Sequence, residues 1–188
     1  MNICVFASSS DAIPATYTQA SIQLAEAIGR GGHTLINGAG NIGLMGIMLD
    51  AAQKCGARTV GVIPEKLHEF GLSWDGLDEL HVTVDMASRK AMMRQLADAF
   101  IVAPGGFGTL EEALEVVTLK QLDYHRKPIV FLNTCGFFDD LFRQFERSFE
   151  EHFAKPVYAT LYHIAPDSPD AMRYLENYRS FEAISKFD

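Results

Sequence analysis

The chain has 188 residues, 48% of them hydrophobic and 21% charged, enough to bury a core with an ordinary globular balance. A formal net charge of −8 at pH 7 disfavours nucleic acid or an anionic membrane as partner, since both demand clustered Lys and Arg. No apolar run approaches the roughly 20 residues of a membrane span, and the opening "MNICVFASSSD" has no basic leader region and reads as a strand.

From there, short β-branched runs alternate with stretches of helical period. Strands are predicted over 3–7, 33–36, 59–63, 80–84, 99–102, 129–132 and 162–165, and helices over 15–30, 44–54, 87–97, 109–122, 137–152 and 168–177. The first helix carries Ile22, Leu24, Ala25 and Ile28 on one side with Gln23, Glu26 and Arg30 on the other, and stops at Gly31-Gly32. Strand–helix alternation predicts an α/β fold, a doubly wound parallel sheet with helices on both faces, with residues 1–188 as one domain. Ligands of such sheets bind beyond the carboxyl ends of the strands. The loops at 8–11, 37–43, 64–76, 85–90 and 104–109 therefore form one candidate site. The irregular segment 64–79 has the length of a lid or binding loop.

Cys4, Cys55 and Cys135 are odd in number, widely spaced and without a CxxC, and read as buried free thiols of a reducing, cytoplasmic setting. The six histidines are scattered, and no His, Cys and Asp set has metal-ligand spacing, so no metal or cofactor is expected. Phe137, Phe138, Phe142, Phe145 and Phe149 recur at helical spacing, as core or a subunit face. Trp74 in the long segment could stack on a purine or cover an apolar patch equally well.

Two glycine loops carry the chemistry. "GAGNIG", Gly38 to Gly43 and including Gly40, fits the dinucleotide pattern GxGxxG between a strand and a helix, and Glu65 stands at the distance of a ribose-binding acid. A tight turn with close helix–strand packing explains the same glycines. "PGGFGT", Pro104 to Thr109, offers bare N–H groups on a helix N-terminus, a seat for phosphate. Thr109 reads as the N-cap of that helix, Glu111 as a first-turn acid, and Thr109-x-x-Glu112 as a capping box. Capping and catalysis are balanced for Glu112 on this grammar alone. Against pure capping stand two carboxylates beside an anion seat, and Arg89 and Lys90 at the start of another helix on the same sheet edge. A phosphate, cations and a carboxylate together suit bond cleavage in a phosphorylated sugar.

The stretches "GLMG" (43–46), "VGVIP" (60–64), "RK" (89–90), "ADAFIVAPGGFGTLEEALEV" (97–116), "QL" (121–122) and "KP" (127–128) resemble the LOG (LONELY GUY) family, with its signature PGGxGTxxE matched over 104–112. The resemblance runs from about residue 3 to 149. It implies a Rossmann-like homodimer hydrolysing the N-glycosidic bond of adenosine-type 5′-monophosphates, N6-substituted (cytokinin) ones included, to free base and ribose 5-phosphate. It further implies Glu112 and Arg89 as the catalytic pair, Gly105, Gly106, Gly108 and Thr109 as phosphate cradle, and Ser9, Met86 and Lys90 as nucleotide contacts. The chain departs from the family's MHERK with Met86-Ala87-Ser88-Arg89-Lys90, from FCGSS with "FASSS" and from YGGG with "NGAG". Rival readings are a non-catalytic nucleotide or cofactor carrier, an NAD(P)-dependent oxidoreductase using Gly38–Gly43, and, last, a decarboxylase with Lys90 as Schiff-base lysine.

Overall fold

A computed structural model describes residues 1–180. Seven parallel strands, β1 (Asn2–Phe6), β2 (Thr34–Asn37), β3 (Arg58–Pro64), β4 (Glu79–Thr83), β5 (Ala99–Val102), β6 (Ile129–Leu132) and β7 (His163–Ala165), form one sheet in the order 4-3-2-1-5-6-7. Among the described residues seven α-helices accompany them, six between strands and one after β7: α1 (Ala15–Arg30), α2 (Gly43–Lys54), α3 (Glu65–Glu69), α4 (Met86–Leu96), α5 (Phe107–Gln121), α6 (Asp139–Glu150) and α7 (Ser168–Asn177).

The period of two along each strand sorts the core into two layers. Ile3 and Val5 of β1 face Leu24, Ala25 and Ile28 of α1, Met48 and Leu49 of α2, and Met172 and Leu175 of α7. Cys4 and Phe6 face the other way, towards Met93 of α4, Ala113 and Val116 of α5, and Phe142 of α6. The phenylalanines of 137–145 divide: Phe138 and Phe142 are core around Phe131 and Tyr162, whereas Phe137 is exposed and meets Tyr17 edge-on. Trp74 packs against the first layer, which decides for the patch-covering reading. Its backbone N–H donates to the Ala39 carbonyl at 2.8 Å.

Three local expectations need correction. The segment 64–79 is not irregular throughout, because Glu65–Glu69 turns into a short helix directly after Pro64. Of the three free cysteines only Cys4 is buried, its thiol pKa pushed up by burial, while Cys135 is exposed. The start of the fifth predicted helix, over 137–152, is displaced to Asp139 by a 3₁₀ turn over Thr134–Gly136. No helix among the described residues is long and apolar enough to cross a membrane.

The direction in which successive strands are added to the sheet reverses at β1, whose neighbours are β2 on one side and β5 on the other. The helix after β1 packs on one face and the helix after β5 on the opposite face. A crevice must open between the two departing loops, at the carboxyl edge of the sheet.

Candidate active site

That crevice is a cavity of about 520 Å³. Its walls include Ser8, Ser9 and Ser10 after β1, Gly38 and Gly40 after β2, Met86 and Arg89 of α4, and Gly106 to Thr109, Glu111 and Glu112 at the start of α5. Ile42, Met45, Ile63, Leu67 and Leu72 make one side apolar. The last two come from the long segment after β3, which motif reading marked as a binding loop without identifying its residues.

The start of α5 differs from its sequence-based reading in a way that matters for Glu112. The helix begins at Phe107, with Gly106 as N-cap and no side chain capping it. Thr109 is therefore the third helical residue and buried at 4% exposure, and Glu112 lies beyond the first turn. There is no capping box, and neither Glu111 nor Glu112 is a first-turn acid. The reason is the close approach of loop and helix: a Cβ on Gly105 would lie 2.1 Å from the Thr109 hydroxyl. That hydroxyl is packed beneath the loop rather than turned to the helix end. The leading N–H groups of α5 are thus left to solvent or ligand. Gly106 and Gly108 have open space where a side chain would stand, so no neighbouring group in the protein requires glycine there.

Relieved of capping, Glu112 meets Arg89. The Arg89 Nη1 donates to Glu112 Oε1 at 3.2 Å, and both side chains are nearly buried, at 10% and 12% exposure. Arg89 is carried there by α4, whose N-cap Asp85 accepts from the Ser88 N–H at 2.7 Å and from the Ser88 hydroxyl. Its Nε donates to the Val62 carbonyl of β3 at 3.0 Å. Burial raises the carboxyl pKa of Glu112 above its ordinary value, and the Arg89 charge pulls in the opposite direction. A carboxylate that is hard to ionise, beside a fixed guanidinium, is typical of sites that exchange charge with a ligand.

Lys90 is not brought to the cavity. It bonds Glu111, reaches Glu115 at 3.5 Å, and shares Glu115 with Arg94, which pairs at 2.8 Å. Among the described residues no lysine lines the cavity, so none of them stands ready to form a pyridoxal phosphate Schiff base there. The tight-turn reading of Gly38–Gly43 accounts for two of its glycines. A Cβ on Gly43 would stand 2.5 Å from the Ser9 backbone, and one on Gly40 would stand 2.6 Å from the Met45 Cε. Those glycines serve close packing of loops, and Glu65 does not line the cavity. Ser9, Gly40 and Met86 do line it, beside Gly106, Gly108, Thr109, Arg89 and Glu112.

The family model described as "Possible lysine decarboxylase" matches residues 45–175. LOG7 of Arabidopsis thaliana, a cytokinin riboside 5′-monophosphate phosphoribohydrolase, is 39% identical over 184 residues, which are 97% of this chain and 85% of that protein. The chain belongs to the LOG family. A second member, LOG2 of Arabidopsis thaliana, carries the same activity in its name and is 38% identical over 94% of this chain and 83% of its own. Among solved structures, the molybdenum cofactor binding protein of Rippkaea orientalis superposes with a TM-score of 0.72 at 24% identity, covering 93% of this chain and 94% of that one. That likeness is one of fold. Some of the positions where this chain departs from the usual LOG motifs have local explanations: Ser88 joins the α4 cap, and Asn37 builds the turn that holds Ala39 at φ 58°.

Proposed function

We propose that this LOG-family chain hydrolyses the N-glycosidic bond of adenosine-type nucleoside 5′-monophosphates, N6-substituted ones included, to a free base and ribose 5-phosphate. The observation that carries the reading is a nearly buried Arg89–Glu112 pair beside an uncapped helix N-terminus, in one cavity. The phosphate caps α5 at Gly105, Gly106, Gly108 and Thr109, using N–H groups that no side chain satisfies. Cleavage then develops positive charge at the anomeric carbon and negative charge on the purine. The carboxylate of Glu112 faces the first and positions the attacking water, and the Arg89 guanidinium faces the second. Water supplies the new C1′ hydroxyl, while the electron pair of the C1′–N9 bond passes to the purine, which takes up the proton. The opposed charges of the ion pair match the charge separation of the transition state, and pre-placed charge of this kind needs no reorganisation as the bond breaks. The apolar wall of Ile42, Met45, Leu67 and Leu72 accommodates the base and its N6 substituent. The reading includes a cytoplasmic homodimer that covers exposed Met86 and Phe107, and sedimentation equilibrium of the purified chain tests the dimer.

The decisive assay is base release from AMP, N6-isopentenyl AMP, GMP, CMP and the nucleosides lacking phosphate. Free adenine-type base is expected from the adenylates alone, lost without the phosphate and reduced about 10²–10³-fold in Glu112→Gln. Near-normal turnover in that variant would remove Glu112 from the mechanism. No release from any substrate, with tight nucleotide binding by calorimetry, would replace the enzyme by a carrier.

A further inference from the structure

Gly38 follows β2 and has no polar side chain, no positive φ and no place in the phosphate cradle. What distinguishes it is the space it leaves. A Cβ built there would stand 1.9 Å from Nη2 of Arg89, far closer than the 3.0 Å at which it would meet Cζ of the same side chain and the flexible Met45 Sδ. We propose that Gly38 is a positioning residue of the active site: the missing side chain is what lets the Arg89 guanidinium lie between the β2 loop and Glu112.

The geometry decides which side would yield. The loop around Gly38 is held on both flanks. Asn37 Nδ2 donates to the Met45 carbonyl at 3.1 Å, its Oδ1 accepts from the Ala39 N–H at 2.9 Å, and the Ala39 carbonyl accepts from Trp74. Ala39 is fully buried. Arg89, by contrast, meets Gly38 only with the far end of a long side chain, which can swing. An added methyl therefore displaces the guanidinium and leaves the backbone in place. The Val62 carbonyl anchors Nε, so the outer end of the guanidinium is what moves, and its displacement costs the pairing at Nη1 with Glu112. Fold and site separate at this position: the substitution spares the first and misplaces a charge in the second.

The catalytic consequence rests on the phosphoribohydrolase reading, whereas the placement of Arg89 does not. The test therefore combines turnover with a ¹³C NMR titration of the Glu112 carboxyl in wild type, G38A, R89A and the double variant. Around Glu112, Arg89 and Lys90 favour ionisation, whereas Glu111 and Glu115 oppose it. G38A is expected to lower kcat about 100-fold, the loss typical of a misplaced catalytic group. It should also move the Glu112 titration upward, as R89A does, and the double variant should titrate like R89A alone. An unchanged kcat overturns the proposal, as does a Glu112 titration that G38A leaves in place or moves equally in the R89A background. If the wild-type chain releases no base from any nucleotide, the functional reading fails, and the titration cycle by itself decides whether Gly38 places Arg89.

Discussion

Gly108 and Lys90 show how a residue's surroundings decide its role. At Gly108, the second residue of α5, nothing of the protein would meet a side chain. Glycine within a helix costs about 0.5–1 kcal/mol relative to alanine. A chain that carries this cost without a packing reason is leaving the backbone bare for something else. Gly108→Ala should therefore raise the melting temperature or leave it unchanged while raising KM for AMP. A loss of stability with KM unchanged would assign the glycine to folding. Gly105 behaves oppositely, since its Cβ would collide with Thr109, and substitution there disturbs the loop before it disturbs the ligand. The two positions are neighbours in one motif, yet only the first separates binding from folding.

At the scale of elements, α4 and α5 must keep their register for Arg89 and Glu112 to meet. The ion pairs of Lys90 with Glu111 and Glu115, and of Arg94 with Glu115, connect the same two helices. Lys90 is thus held by carboxylates of α5, and the partner Glu111 raises its pKa. Because Glu111 is more than half exposed, the network is screened, and removing Lys90 should cost only about 0.2–1 kcal/mol. Lys90→Met is expected to lower the melting temperature slightly and leave KM for AMP nearly unchanged. A rise in KM of about tenfold, the loss of one charge-assisted contact, would return Lys90 to the nucleotide. The sequence motif "SRK" presents Arg89 and Lys90 as equivalent cations. Successive helical residues point about 100° apart, so when one enters the cavity the other stands against the neighbouring helix.

For the whole molecule, His125 ties α5 to the start of β6, with Nε2 on the Val116 carbonyl at 2.9 Å and Nδ1 accepting from Lys127 at 3.2 Å. Burial, helped by Lys120, Lys127 and Arg94, lowers its pKa to about 4 from 6.5. The unfolded chain then takes up the proton first as pH falls, so folding stability declines between pH 6.5 and about 4. Glu112 acts with the opposite sign, because its folded pKa is raised and its ionisation cost disappears on protonation. Thermal melts at pH 7 and pH 5 should show a smaller acid-induced loss in His125→Gln than in wild type. An identical loss would mean that His125 protonates in the folded state. Much of this molecule was legible from its sequence, because hydrophobic period and turn residues are local signals. The seven strands, the alternation with helices, the carboxyl-edge site and the PGGFGT loop all follow from spacing along the chain. The role of Glu112 did not, since a capping box and an ion pair share one sequence grammar. Only the packing of Gly105 on Thr109 moved the helix start and freed the carboxylate. Likewise Gly38, Val62 and Arg89 lie far apart in sequence, and their meeting depends on β2, β3 and α4 lying side by side. Local preference sets which elements form, and the strand order of the folded sheet decides which side chains meet at its edge.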